Sequence, residues 1–176
     1  MRIIAFTGRK KQGKSTLADL IIKKLADTHN CAHVNFADAL KRQVAVACGV
    51  ELADIELHKD TFRTILQWWG TEFRRRYQKD DTYWIARWLK TLTYKIDDTI
   101  VLCSDCRFNN EAEAIRFAGG LVIDVCDVAS KVEPDSHASE QGVDSKYIDM
   151  FVRNDSSKGL TVLDAIAESI IIKYKL

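Results

Sequence analysis

A glycine-containing segment between an apolar run and a helical pattern constrains this chain more than any other feature. The apolar run covers Ile3–Phe6, and Gly8–Ser15 then reads G-x-x-x-x-G-K-S. The two glycines let the backbone curl until its N–H groups point at phosphate oxygens. Apolar residues at helical spacing follow, namely Leu17, Ile21, Ile22 and Leu25. The sequence therefore predicts a buried strand, a phosphate-binding loop and a helix, which is the context that this motif requires.

The loop predicts a site for a nucleoside triphosphate and magnesium. Lys14 can reach the β- and γ-phosphates, and the Ser15 hydroxyl can ligate Mg²⁺. At average residue frequencies, the four fixed positions arise by chance in under about 1% of chains of this length. We assign to ATP binding the residues Gly8, Arg9, Lys10, Gly13, Lys14, Ser15 and Thr16, together with the more distant Asn154.

Apolar runs alternate with helical patterns along the chain. Strands are predicted at about residues 2–7, 31–36, 99–103, 121–126 and 148–152, and helices at about 14–28, 38–48, 109–118 and from 161 onward. This alternation predicts an α/β fold of three layers, with a five-stranded parallel sheet between helices. Ligands of such sheets lie beyond the carboxyl ends of the strands, where the phosphate-binding loop is.

Two segments interrupt the alternation, although the chain of 176 residues has the length of one domain. The first, about 49–97, is rich in helical and aromatic patterns and is too long for a simple crossover. The second, about 127–146, is polar and long enough to be a lid. We therefore predict a single domain over 1–176 with a helical insertion and a lid.

Composition limits the partners and the compartment. Lys and Arg total 26 against 25 Asp and Glu, so no globally basic face is available for generic nucleic-acid binding. The sequence shows no signal peptide and no apolar run long enough to span a membrane, which favours a cytoplasmic protein. It leaves open whether the protein forms a homodimer.

Five cysteines are present, an odd number. Most lie in apolar runs and are interpreted as reduced packing residues: Cys31, Cys48, Cys103 and Cys126. Cys103 and Cys106 form a C-x-x-C pair, but no second pair completes a zinc site. Packing is therefore favoured over a redox or zinc function.

The third predicted strand ends in Ser104-Asp105, which places a carboxylate at the sheet edge where magnesium is held. Asp105 is the candidate metal-side residue beside Ser15. Arg107 lies two residues further on and can reach a transferring phosphate, or it can instead pair with Glu111 or Asp105.

Five blocks occur in order along residues 1–155. They are Gly8-Arg9-Lys10 with Gly13-Lys14-Ser15, Phe36–Lys41, Leu66–Arg75, Ser104–Glu111, and His137-x-Ser139-Glu140. Their order and spacing resemble viral deoxynucleoside monophosphate kinases. Animal-type phosphomevalonate kinases are similar too, in the loop, the Trp69-Gly70-x-Glu72 neighbourhood, the Ser104-Asp105-x-Arg107 turn and Ser139–Asp144. Both resemblances imply ATP and a small acceptor that already carries a phosphate.

The resemblance to the monophosphate kinases also implies an acceptor site. Its residues would be Asp38, Lys41, Gln67, Glu72, Arg75, His137 and Glu140. Independently, Arg63 and Arg74–Arg76 form a basic cluster suited to phosphate, of which Arg75 is our choice, although a solvated helix face also explains such a run. The lid lacks arginine, so Arg107, Lys131 or Lys146 would have to replace the lid arginines common in such kinases.

We therefore predict magnesium-dependent transfer of the ATP γ-phosphoryl group to a deoxynucleoside monophosphate, with Lys14, Asp105 and Arg107 in catalytic positions. Phosphomevalonate or another phosphorylated metabolite is the alternative acceptor. A small P-loop switch, motor or nucleotide-binding module is the alternative class. No N-K-x-D sequence supports a guanine switch, and the chain is too short for a helicase core. If the protein is viral, the compartment would be the host cytoplasm.

Overall fold

The computed structural model describes residues 1–94, 98–131, 137–138 and 141–176. Among these residues the chain forms five strands, seven α-helices and one π-helix, with two short 3₁₀ turns. In order they are β1 (Arg2–Thr7), α1 (Lys14–Leu25), β2 (Cys31–His33), α2 (Ala37–Cys48), α3 (Leu52–Leu57), α4 (Lys59–Gln67), the π-helix (Trp68–Tyr77), α5 (Tyr83–Leu92), β3 (Ile100–Cys103), α6 (Asn109–Phe117), β4 (Leu121–Asp127), the turn Ser145–Tyr147, β5 (Met150–Asn154), the turn Ser156–Lys158 and α7 (Thr161–Tyr174).

The chain divides into two compact units. The sheet unit comprises Met1–Val34 and Lys95–Leu176, and the helical unit comprises Asn35–Tyr94. The helical unit thus begins fourteen residues before the insertion boundary estimated from sequence at 49. Residues 95–97 of the predicted insertion, and 132–136 and 139–140 of the predicted lid, lie outside the described residues.

The sheet unit confirms the predicted fold class. All pairings are parallel, and the strand order is β2-β3-β1-β4-β5. The central strand β1 pairs with β3 through Arg2 and Ile100, and with β4 through Thr7 and Asp124. Its position inside the sheet explains the unbroken apolar run, because both faces of the strand are covered.

Helices cover both faces of the sheet. On one face α1 and α7 pack together over a core that includes Phe6, Leu17 and Ile170. On the other face α6 packs against β1 and β4, and its Ile115 is fully buried. Gly120 permits this packing, since an added Cβ would lie 2.8 Å from Ile115 and 2.9 Å from Ile3.

The helical unit has its own small core. Val44, Ala45 and Ile55 are buried there, with Phe62 and Trp69 packed against them. The indole N–H of Trp84 donates a 2.9 Å hydrogen bond to the carbonyl of Gly70. Trp88 stacks on Phe36 with a centroid distance of 4.8 Å. Trp84 and Trp88 are both buried, so these contacts belong to the interior of the helical unit.

Several predicted boundaries were wrong. β2 ends at His33 instead of residue 36, and β5 is shifted by two residues to Met150–Asn154. The short helix α3 was not predicted, and the π-helix was not distinguished from ordinary helix. Helix boundaries and single-turn helices depend on local caps and packing more than on periodicity, which explains these errors.

Candidate active site

Two glycines give the predicted loop its shape. Gly8 has φ +122° and Gly13 has φ +98°, values that L side chains rarely adopt. A Cβ on Gly8 would collide with the backbone carbonyl of Val125. Gly13 precedes the first turn of α1 in the left-handed conformation, and its Cβ would lie 3.0 Å from the side-chain nitrogen of Asn154. The loop therefore curls above the end of β1 and against β4, as a phosphate cradle requires.

Lys14 folds back into this curl. Its ammonium donates hydrogen bonds of 2.8 Å to the Gly8 carbonyl and 2.5 Å to the Arg9 carbonyl, and the side chain is only 8% exposed. Because Lys14 is buried, its ammonium stays at the opening of the loop and does not extend into bulk water. A phosphate oxygen can take the place of these carbonyls, so the cation is already held where an anion would enter.

The loop is braced from behind by contacts that sequence reasoning missed. The buried Gln12 side chain accepts a 2.8 Å hydrogen bond from the backbone N–H of Asp127. The Asn154 amide nitrogen lies 3.4 Å from the Gln12 carbonyl. Hydrogen bonds from Ser156 and from the Ala129 N–H to the Asp127 carboxylate hold the pKa of that carboxyl below its usual value. These contacts tie the loop to the ends of β4 and β5.

Asn154 is thereby placed against the loop backbone and is 3% exposed. Its side-chain oxygen is buried and has no hydrogen-bond partner within the described part of the chain. A role in ATP binding stays a prediction for this residue, and the structure shows a bracing contact.

The oxygen ligands expected for magnesium lie at the neighbouring strand end. The Ser15 hydroxyl is 3.4 Å from the hydroxyl of Ser104, which directly follows β3 and precedes Asp105. Asp105 in turn accepts a 3.3 Å contact from the Cys103 thiol. A hydroxyl and a carboxylate beside a triphosphate cradle are hard oxygen donors of the kind that Mg²⁺ selects, so the residues present fit this ion. No group of three or more His, Cys, Asp or Glu capable of holding a metal occurs among the described residues.

The turn after β3 is organised by Glu111. Its buried carboxylate accepts hydrogen bonds of 2.9 Å from the Arg107 N–H and 3.2 Å from the Phe108 N–H. These bonds cap the start of α6 and fix the backbone that carries Arg107. The Arg107 side chain is partly exposed at this turn.

The two cysteines of the C-x-x-C pair are packing residues, as the sequence predicts. Cys103 and Cys106 are both free thiols with no exposed surface. Burial raises the pKa of both thiols well above the usual value, and the Asp105 carboxylate adds to the effect on each. Protonated, enclosed thiols are poor nucleophiles and poor ligands. For Cys48 and Cys126 the packing prediction was wrong, because both are exposed.

Asp124 is a further charged residue beside the loop that sequence reasoning missed. It lies opposite Thr7 in the β1–β4 pairing, and its carboxylate is 3.5 Å from the position of a Cβ on Gly8. Burial raises the pKa of Asp124, while the Lys14 ammonium partly offsets that rise. The available signal was a single acid within the otherwise apolar run Leu121–Val125.

The first two residues predicted for the acceptor site lie at the start of the helical unit. Asp38 accepts a 2.9 Å hydrogen bond from the Asn35 N–H and so fixes the entry into α2. Lys41 forms a 2.6 Å ion pair with Glu56 of α3. Burial raises the pKa of Glu56, but hydrogen bonds from Lys41 and Lys59 outweigh it and lower that pKa overall.

The other predicted acceptor residues of this unit line α4 and the π-helix. Gln67 ends α4 and is partly exposed. Glu72 pairs with Arg76 at 2.8 Å, and Arg75 donates a 3.0 Å hydrogen bond to the Asp81 carbonyl. Arg74 stacks 4.3 Å from the centre of the Tyr83 ring. The three consecutive arginines therefore have different surroundings.

The lid residues are described only in part. His137 is partly exposed, and Glu140 lies outside the described residues. The end of the segment is anchored, since Asp144 and Asn109 exchange two hydrogen bonds of 2.8 Å. No helix in the described part of the chain is long and apolar enough to cross a membrane.

The sequence is similar to a kinase family and to a viral protein. The family model described as phosphomevalonate kinase matches residues 6–118, more than half of the chain. A protein of Acanthamoeba polyphaga mimivirus named "Putative deoxynucleotide monophosphate kinase" is 28% identical over 161 residues, which cover 80% of this chain and 81% of that protein.

Solved structures show the same fold. An APS kinase variant from Mycobacterium tuberculosis superposes with a TM-score of 0.51 at 16% identity, covering 99% of this chain and 97% of that one. A "putative kinase" from Chloroflexus aurantiacus gives a TM-score of 0.53 at 11% identity, with 99% and 96% covered. At these identities the likeness concerns the fold alone.

Proposed function

The chain belongs to the phosphomevalonate kinase family, and from that premise we propose that it transfers the γ-phosphoryl group of ATP to a deoxynucleoside 5′-monophosphate. The products are ADP and the deoxynucleoside diphosphate. The broader class, a P-loop kinase of small molecules, rests on the family and on the fold. The observation that carries the choice of acceptor is the 28% identity to the mimivirus protein over 80% of the chain.

The donor side of the reaction is assigned to the sheet unit. The loop from Gly8 to Ser15 would hold the triphosphate through its N–H groups, and the Lys14 ammonium would neutralise charge on the β- and γ-phosphates. Ser15 and Asp105 would hold magnesium, which when bound supplies charge neutralisation for the transferring group. Arg107, carried on the turn that Glu111 fixes, is proposed as a second cation for that group.

The acceptor needs no general base. The phosphate oxygen of a nucleoside monophosphate is already anionic near neutral pH, so alignment and charge neutralisation supply the catalysis. Asp38, Lys41, Gln67, Glu72 and Arg75 are proposed to bind the acceptor. Their common place in the helical unit, remote in sequence from the loop, supports a division between donor and acceptor binding.

A panel of acceptors tests this proposal. ADP release would be measured with ATP, Mg²⁺ and each deoxynucleoside monophosphate, each ribonucleoside monophosphate, phosphomevalonate, or no acceptor. We expect release to depend on at least one deoxynucleoside monophosphate, with formation of the matching diphosphate. The Lys14→Ala variant, purified in parallel, controls for contaminating kinases.

Phosphomevalonate is the second candidate acceptor, and the family model favours it. Activity with phosphomevalonate alone would replace the nucleotide proposal. ADP release that no acceptor stimulates would indicate an NTPase, and nucleotide binding without turnover would indicate a binding module.

A further inference from the structure

The proposed function assigns no role to the Asp124 carboxylate. It extends from β4 at the level of Thr7 on β1, and it is partly buried. Its side chain makes no hydrogen bond to another described residue. The neighbouring Thr7 hydroxyl is also buried without a hydrogen-bond partner among the described residues. Two polar side chains that make no hydrogen bond within the described residues therefore lie side by side at the base of the phosphate-binding loop.

The carboxylate is close enough to the loop to act on a bound phosphate. It lies 3.5 Å from the position that a Cβ would take on Gly8. The carbonyl of the same glycine accepts the 2.8 Å hydrogen bond of the Lys14 ammonium. Lys14 and Asp124 interact favourably, so the negative charge of Asp124 acts on the ammonium that would bind the phosphates.

A fixed negative charge at this position opposes anionic ligands in proportion to their charge. Free ADP carries about three negative charges near neutral pH, whereas its magnesium complex carries about one, and partial burial reduces solvent screening. The penalty is therefore larger for the metal-free nucleotide. The cations of the loop, Arg9, Lys10 and Lys14, attract both forms.

We propose that Asp124 is a specificity-determining residue that makes the loop select metal-bound nucleotide over metal-free nucleotide. This inference rests on the proposed use of the loop as the nucleotide donor site. Asp124 acts through charge and need not contact the metal. Its removal would relax the selection without removing any group that holds the phosphates.

Isothermal titration calorimetry with ADP tests the inference without turnover. Each protein is titrated once with excess Mg²⁺ and once with EDTA, and the ratio of the two dissociation constants measures the selection. We expect Asp124→Asn to lower the dissociation constant of metal-free ADP about five- to twentyfold. The dissociation constant of magnesium ADP should fall less than about threefold, because the repulsion scales with the charge of the ligand. Asp124→Glu, which restores the charge, should keep a ratio near that of the parent protein.

A matched control removes an acid elsewhere. Asp27 is exposed and follows the carboxyl end of α1, the end opposite to Lys14. The rise from Lys14 to Leu25 along α1 is about 16 Å, beyond the screening length of about 8 Å at physiological salt. Asp27→Asn should therefore leave the ratio unchanged. If Asp124→Asn does not fold, Asp124→Ser removes the same charge with a smaller side chain.

The outcomes separate this inference from the proposed function. A parent protein that binds neither form of ADP would overturn the nucleotide-site assignment itself. A parent protein that binds ADP, with the same ratio in the Asp124→Asn variant, would overturn only the role of Asp124. A ratio that falls equally in the Asp27→Asn control would also overturn it, because the effect would then reflect overall charge.

Discussion

Individual residues decide whether the phosphate-binding loop can form at all. Gly8 combines φ +122° with a backbone contact that leaves no room for a Cβ against Val125. Gly8→Ala is expected to lower the free energy of unfolding by roughly 3 kcal/mol or more, since conformational strain and a backbone clash add. Urea denaturation measures the loss.

Gly49 is the matched control for this prediction. It also has positive φ, at +67°, in the left-handed helical region, but nothing lies within 4 Å of its Cβ position. Gly49→Ala should cost only about 1 kcal/mol, from backbone strain alone. Equal losses in the two variants would show that the contact with Val125 is unimportant.

Lys14 is the residue on which the donor site depends most. Lys14→Ala removes a cation held inside the loop by the carbonyls of Gly8 and Arg9. Phosphoryl transfer should fall by on the order of 10²-fold or more, because charge develops where the cation is missing. Steady-state kinetics and thermal melting check this together. Near-normal transfer in a folded variant would remove the donor-site assignment.

Asp105 is expected to act on the metal. Asp105→Asn should raise the Mg²⁺ concentration needed for half-maximal rate and lower turnover, while the acceptor KM stays nearly constant. A magnesium titration at saturating acceptor makes the measurement. A curve that overlays that of the parent protein would contradict the role.

The sequence identified the residues of the loop because their spacing is specific to it, and it located Asp105 from the strand that precedes it. Gln12 and Ser104 could not be found in this way. Each acts through a contact between segments far apart in sequence, as in the bond from Gln12 to the Asp127 N–H. Periodicity carries no information about such contacts.

At the scale of elements, the π-helix gives three adjacent arginines different surroundings. Its wider turn aligns residues four and five apart, so Trp68 stacks on Phe73 at 5.4 Å and Glu72 pairs with Arg76. Arg74 is engaged by Tyr83 and by Gln78. This element was predicted only as helix, because the pattern of its aromatic side chains does not distinguish a spacing of five from one of four.

Arg75 is the arginine we expect to bind the acceptor phosphate. Arg75→Ala should raise the acceptor KM or, if its contact tightens only during transfer, lower turnover, while the ATP KM is unchanged. Arg74→Ala and Arg76→Ala are matched controls, since adjacent helical residues point in different directions. Small and equal effects in all three variants would show that the basic run is only a solvated face.

At the scale of the whole molecule, the five free thiols report on packing. Cys48 and Cys126 are exposed, Cys31 is partly buried, and Cys103 and Cys106 are fully enclosed. A disulfide reagent should label Cys48 and Cys126 rapidly in the native protein, and Cys103 and Cys106 only after unfolding. Replacing Cys48 and Cys126 by Ser should abolish the rapid phase. Fast labelling that remains would contradict the described packing.

The same enclosed thiols lower the stability of the folded protein at alkaline pH. Burial raises the pKa of Cys103 and Cys106 in the folded protein above the unfolded value of about 8.5. Because the pKa is higher in the folded state, the two thiols contribute fully to the free energy of unfolding below the unfolded pKa. That contribution is lost as the pH rises above the unfolded pKa. Denaturant midpoints should therefore fall above about pH 9, and less so in a Cys103→Ala variant.

The placement of β1 at the centre of the sheet has a consequence for synthesis. Arg2 pairs with Ile100, and Thr7 pairs with Asp124. At translation rates of about 5–20 residues per second, β1 waits roughly 5–20 s for its first partner strand. The helical unit, continuous from Asn35 to Tyr94, is complete before then and can fold first. The nascent chain therefore carries β1 with both of its hydrogen-bonding edges unpaired through that interval, which makes this strand a segment that a ribosome-associated chaperone would shield.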